Sequence, residues 1–294
     1  MRVLARDTTA RLAIDAVLVT RLGMALYAVV TALYFAFGTV NNDEGWYLYA
    51  GRLFVQGLLP YRDLVYPQMP LLGYLYGVAQ VVQPGLATGR VVSILISAGT
   101  LTASLAIAKR YAGWHGAAIT AVLMGCFTWA IYFNSIVKTY ALVSFAFVAT
   151  LFILSSDLKE ATKYPLALLM ALVAVLARVT AIAFVAPILL FALYRAPRRG
   201  RILILLETLG AGALAAYWLL PDWSVASWNL FGSHLRHWGG AGLLDQFWQI
   251  IYWRLPELAQ QLAPLLFLAI VSFYLFWILR RRAAARPLEP LAVV

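Results

Sequence analysis

The chain has 294 residues, 63% of them hydrophobic and 12% charged, with a formal net charge of +11. Soluble domains carry roughly 45–50% apolar and about 25% charged residues, so an ordinary soluble globular protein, a disordered chain and a disulfide scaffold are all excluded. A polytopic membrane protein is left. The single cysteine, Cys126, lies in an apolar run; it forms no intramolecular disulfide and reads as a small buried apolar residue.

A bilayer core of about 30 Å needs roughly 20 apolar residues per helix. Eight stretches approach that length: 17–39, 88–108, 114–133, 139–155, 164–177, 179–194, 202–220 and 258–279. The first follows Arg2, Arg6, Arg11 and Arg21. It is too long for a signal-peptide core and has no small-residue cleavage site after it, so it reads as an uncleaved signal anchor. The run 164–194 is interrupted by Arg178 and reads as two short helices, with one tilted helix as the alternative. Pro70–Val82 holds 13 residues including Gly73, Gly77 and Gln80. That is too short to span, and a re-entrant or short helix is expected there.

The basic residues orient this arrangement. With the N-terminus (1–16) and the tail (280–294) in the cytoplasm, Lys109–Arg110, Lys159–Lys163, Arg195–Arg201 and Arg280–Arg286 join the N-terminal arginines on one side. Only Arg52, Arg62, Arg90, Lys138, Arg178, Arg236 and Arg254 fall outside. Every inside loop is then basic, as membrane insertion requires. The excess charge reports orientation and gives no reason to invoke nucleic acid. Function is sought on the nearly neutral outer face, in the long segments 41–87 and 221–257.

In the first of these, Asn41–Asn42 can cap a helix running from Asp43 to Gln56, on which Trp46, Tyr49, Ala50 and Leu53 recur at helical spacing. Gly57 and Pro60 stop it. The pattern is that of an amphipathic helix lying in the interface, with Trp46, Tyr47 and Tyr49 suited to the headgroup level. Asp43 and Glu44 fall in its first turn, where the helix dipole favours ionised carboxylates. Capping and solvation account for such a pair in many helices. At membrane depth, however, an ionisable residue is a candidate for function. It could act as a general base or hold a divalent cation near Asp43.

Lys138 and Arg178 stand between consecutive spans with almost no loop around them, so each is expected to face a cavity or a partner. Arg62 beside Asp63, and His234 and Arg236 in NLFGSHLRHWGG, add further cationic groups. Together Arg62, Lys138, Arg178, His234 and Arg236 suit a phosphate or diphosphate; snorkelling at span ends is the alternative. Glu207, inside a span near its basic end, is expected to pair with Arg201. No phosphate-binding loop, dinucleotide fingerprint, nucleophile elbow or zinc motif occurs.

The ordered string DEGWYLYAGRLFVQGLLPYRDLVYPQMPLLGYLYG resembles the first outer loop of the GT-C membrane glycosyltransferases. The similarity is greatest to the protein mannosyltransferase and aminoarabinose transferase group. The resemblance implies an all-α GT-C-like fold in a bacterial inner membrane. It implies transfer of a sugar from a polyprenyl-phosphate carrier to a lipid, glycan or protein acceptor on the extracytoplasmic side, with inversion. Asp43 would be the base, Glu44 would support it, and the basic residues above would hold the carrier phosphate. Two features depart from the family. Lys138–Thr139 stand where many relatives carry a second acid, and the chain is shorter than most relatives, which leaves room for a partner subunit. These departures motivate a second expectation, a non-catalytic protein that binds or flips the polyprenyl-phosphate carrier. Ion-coupled transport, which needs acids within the spans, ranks third.

Overall fold

In the computed structural model, residues 2–232 are described, together with 248, 251 and 252. The chain forms two compact units, Met1–Gly240 and Ala241–Val294. The first is all-helical among the described residues. Its main elements are α1 (Arg2–Phe37), α2 (Asn42–Val55), α3 (Leu71–Val82), α4 (Leu86–Cys126), α5 (Thr128–Ser135), α6 (Thr139–Leu154), α7 (Glu160–Ala177), α8 (Ile182–Arg195), α9 (Arg198–Leu219) and α10 (Trp223–Ser227).

Among the described residues, four helical segments are long and apolar enough to cross a membrane: Asp15–Phe37, Leu86–Cys126, Glu160–Ala177 and Arg198–Gly232. There are five if α5 and α6, bent by 109°, are taken as one span. The differences from the eight expected stretches have local causes. The expected span 114–133 is broken at Phe127 (φ −83°, ψ 72°), which separates the end of α4 from α5. The run 164–194 breaks at Arg178 into α7, a short 3-10 turn and α8, so two helices form as anticipated. With its 3-10 turn, α8 covers only Val179–Arg195. The stretch 258–279 lies outside the described residues.

Two hairpins organise the apolar helices. Ala112 and Gly113 leave helical geometry within α4, with Gly113 at φ 62°. The two arms fold back on each other, because Tyr27 of α1 reaches both. Its hydroxyl bonds Ser97 on the first arm, and its backbone nitrogen lies 3.4 Å from the point a Cβ at Gly125 would occupy on the second. Cys126, at the end of the second arm, is exposed rather than buried as expected. The second hairpin is α7–α8. Arg195 approaches Glu160 at 3.9 Å and donates to the Tyr164 hydroxyl, while Leu168, Ala171, Val185, Ile188 and Ala192 fill the seam.

A second core forms around α2 and α3. Tyr47, Phe54, Tyr61, Tyr66, Leu72 and Tyr76 pack with Val137, Leu142, Ala177 and Trp218. Here α2 presses onto α3 through glycine, since a Cβ on Gly51 would stand 2.5 Å from the Gly73 carbonyl oxygen. The buried face of α2 is Glu44, Tyr47, Leu48, Ala50, Gly51 and Phe54. Trp46 and Tyr49, expected at headgroup level, are exposed as such a role requires. Tyr47, expected at the same level, is buried instead; of the stripe read in the sequence, Ala50 is buried, Leu53 is half-buried, and Trp46 and Tyr49 are exposed. The proline-rich strap after α2 closes on itself. Tyr61 takes φ 68° and its amide donates to the Leu64 carbonyl at 2.8 Å. That backbone conformation costs a non-glycine residue of order 1–3 kcal/mol. Burial of the ring and a 2.6 Å bond from its hydroxyl to the Gln68 carbonyl hold it.

Candidate functional site

The turn between α1 and α2 places both acids, and the structure then separates them. Asn41 is the N-cap of α2. Its side chain accepts from the Asp43 amide, and Glu44 reaches back to the Asn41 amide at 2.9 Å, completing a capping box. Glu44 is fully buried. Its carboxylate accepts two further bonds from Arg90, at 2.7 and 2.9 Å, and one from the Val137 amide at 3.1 Å. Four donors fill the roughly four lone-pair sites of a carboxylate. Glu44 therefore has no oxygen left for a substrate proton. Burial alone would raise its carboxyl, but the bonds from Arg90, Asn41 and Val137 outweigh burial and hold it below the ordinary glutamate range.

Arg90, in the second turn of α4, completes this clasp. Its remaining donors reach the carbonyls of Tyr34, Phe35, Gly38 and Thr39, the frayed end of α1, at 3.1–3.5 Å. One ion pair thus ties the end of α1, the start of α2, α4 and the α5–α6 turn. Arg90 was not among the residues singled out from the sequence. The available signal was a lone arginine five residues into an apolar helix and a lone glutamate at the same depth, each of which needs a partner there.

Asp43 lies one residue away and has the opposite environment. Its side chain is 54% exposed, and its Oδ2 takes a 2.8 Å ion pair from Lys138, which is 16% exposed. Among the described residues its Oδ1 takes no hydrogen bond. Lys138 reaches Asp43 because the α5–α6 turn is fixed behind it. Ile136 and Val137 are buried, and the Val137 amide is the one held by Glu44. Lys138 itself is extended (φ −145°, ψ 169°). The clasp therefore positions both members of the Asp43–Lys138 pair.

Arg178 enters from the break between α7 and α8, also in extended conformation (φ −154°, ψ 116°). It donates to the hydroxyls of Thr139 (3.4 Å) and Thr180 (3.1 Å). Its guanidinium carbon lies 5.1 Å from the centre of the Tyr140 ring, and the Lys138 ammonium lies 5.9 Å from the same centre. Both cations thus approach one aromatic ring. Tyr47 adjoins them. Burial pushes its phenol well above the ordinary range and the Asp43 charge pushes the same way, while Arg178 opposes. It stays a protonated hydroxyl.

The other expected residues are placed elsewhere. Arg62 is half-exposed and bonded twice to Asp63, at 2.9 and 2.8 Å, so its charge is neutralised locally rather than turned toward Lys138. Hydrogen bonds from Arg62 and from the Leu59 amide hold Asp63 below the ordinary aspartate range. His234 and Arg236 lie outside the described residues. A divalent cation near Asp43 does not fit the donors present. Glu44 is saturated, Lys138 stands where a cation would bind, and no group of three metal-ligating side chains occurs among the described residues. Glu207 is not paired with Arg201, which donates instead to the carbonyls of Ala196 and Tyr194. Among the described residues, the buried Glu207 Oε2 has no hydrogen-bond partner.

A cleft of about 500 Å³ opens between the end of α2, the start of α3 and the end of α9, lined by Phe54, Gly57, Leu59, Leu71, Tyr74, Leu214, Tyr217 and Trp218. Comparison with protein-family models, curated proteins and solved structures finds no match.

Proposed function

We propose that this chain is a GT-C-like membrane glycosyltransferase with about eight spans. In this reading it moves a sugar from a polyprenyl-phosphate carrier to an acceptor on the extracytoplasmic side, with inversion. The observation that carries the reading is the contrast between the two adjacent acids, one locked in a structural clasp and one left accessible beside two cations. In the proposed step the acceptor hydroxyl gives its proton to Asp43 Oδ1 as its oxygen bonds to the anomeric carbon. The bond from that carbon to the carrier phosphate breaks, and the phosphate leaves with the electron pair. Lys138 has three donors, enough to hold Asp43 and a phosphate oxygen together, and Arg178, at the same Tyr140 ring, supplies planar donors. General-base help of this kind contributes roughly 10²–10⁴ in rate.

One observation favours a second reading. Asp43 is already paired with a lysine, at the position where the resembled family carries an acid, and such a pair suits a protein that binds or flips the lipid carrier without turnover. The two separate in proteoliposomes given a labelled polyprenyl-phosphate sugar and a mixture of lipid, glycan and peptide acceptors. Transfer of label supports the enzyme. Saturable carrier binding with no transfer supports the second reading.

A further inference from the structure

Two basic loops meet at the end of α7 opposite Arg178. Lys159 immediately precedes α7 and Lys163 lies in its first turn, while Arg198, Arg199 and Arg201 open α9. The two helices start side by side, because a Cβ on Gly200 would stand 3.5 Å from the Ala161 Cα. Five cations from two loops are thereby gathered in one place. Membrane insertion asks only that each loop be basic; it does not ask that the loops be joined. The nearby acids do not neutralise the cluster. Asp157 pairs with Arg110, and Glu160 approaches Arg195 at 3.9 Å. Among the described residues, none of the five cations has a carboxylate partner.

Depth decides what fits this cluster. α7 has 18 residues, a length of about 27 Å at 1.5 Å per residue. That is close to the roughly 30 Å of a bilayer core. With Arg178 near one boundary, the cluster falls near the other, at headgroup level. Exposed apolar groups adjoin it: Tyr194 at the end of α8 is 79% exposed, and Ile202 and Leu203 on α9 are about half-exposed. Arg201 is fixed among them, donating to the Ala196 carbonyl at 2.9 Å and the Tyr194 carbonyl at 3.4 Å. A guanidinium has five N–H donors, so others remain for a ligand. A soluble anion would use the charges alone. An anionic phospholipid uses both features, with its phosphate among the cations and its chains along the apolar flank.

We infer that the joined starts of α7 and α9 form a binding site for an anionic phospholipid. Neither Asp43 nor Lys138 takes part in it. The test uses the full chain in neutral-detergent micelles, with bound lipid read by native mass spectrometry during titration with phosphatidylglycerol or phosphatidylcholine. Arg198→Gln/Arg199→Gln removes two exposed charges that have no carboxylate partner, Arg198→Lys/Arg199→Lys keeps them, and Lys163→Gln removes one from the other loop. The expected result is phosphatidylglycerol held at least about fivefold more tightly than phosphatidylcholine. The preference falls to within about twofold in Arg198→Gln/Arg199→Gln, persists in Arg198→Lys/Arg199→Lys and weakens roughly two- to fivefold in Lys163→Gln. Glycerol phosphate, a head group without chains, leaves the lipid bound. Equal retention of the two lipids, a preference unchanged in either glutamine variant, or displacement of the lipid by equimolar glycerol phosphate would overturn the assignment.

Discussion

Replacing Glu44 by alanine is the sharpest structural perturbation the fold offers. The carboxylate is fully buried and Arg90 is 5% exposed, so truncation strands a buried guanidinium without its counter-charge. It also orphans the Asn41 and Val137 amides. Breaking a buried pair by removing one partner costs about 3–5 kcal/mol, a factor of roughly one hundred to several thousand in the folding equilibrium. Removing both partners, as Glu44→Leu with Arg90→Met, eliminates the stranded charge and should recover part of the loss. It should not recover all of it, because Arg90 also bonds four carbonyls at the end of α1. Unfolding in mixed micelles, followed by the double-mutant cycle, measures each contribution. Coupling between residues 44 and 90 of less than about 0.5 kcal/mol, the scatter expected of independent sites, would refute the clasp.

Further outcomes follow from the same geometry. Because the folded state holds the Glu44 carboxyl below its usual value of 4.5, the clasp contributes in full above that pH and is lost as pH falls through the lower folded value. Acid unfolding should therefore steepen below pH 4.5, and Glu44→Gln should lack that limb. Gly51→Ala places a Cβ 2.5 Å from the Gly73 carbonyl and should force α2 off α3 at a cost of about 1–3 kcal/mol, measured by thermal unfolding. Arg62→Ala removes only a surface pair and should change unfolding by less than about 1 kcal/mol. Lys138→Met should weaken carrier binding without unfolding the chain, read by titration with polyprenyl phosphate in nanodiscs.

Much of this arrangement was legible in the sequence where the signal is local. The cap at Asn41, the short α3 and the break at Arg178 all rest on nearby residues, and the structure has each of them. Lys138 and Arg178 stood out because a cation without a loop needs somewhere to go. Long-range pairing was not legible. Nothing near Glu44 reveals that its partner is Arg90, 46 positions away, or that the Val137 amide joins them. As a result the two neighbouring acids looked alike. Helical spacing also did not separate Tyr47, which is buried, from Trp46 and Tyr49, which are exposed, because all three are aromatic and only the packing of α2 on α3 distinguishes them. Hydropathy likewise cannot show that Phe127 interrupts an apolar run, whereas the break at Ala112–Gly113 falls in the interval 109–113 left between two expected spans.

The central claim is that Asp43 and Glu44 have divided labour. The decisive measurement compares Asp43→Asn with the unaltered protein for sugar transfer from a labelled polyprenyl-phosphate donor, with folding stability recorded on the same samples. The account predicts that Asp43→Asn, a change at a half-exposed carboxylate, shifts stability by no more than about 1 kcal/mol while transfer falls by roughly 10²–10⁴. Transfer at the unaltered rate by a folded, correctly inserted Asp43→Asn protein would contradict it.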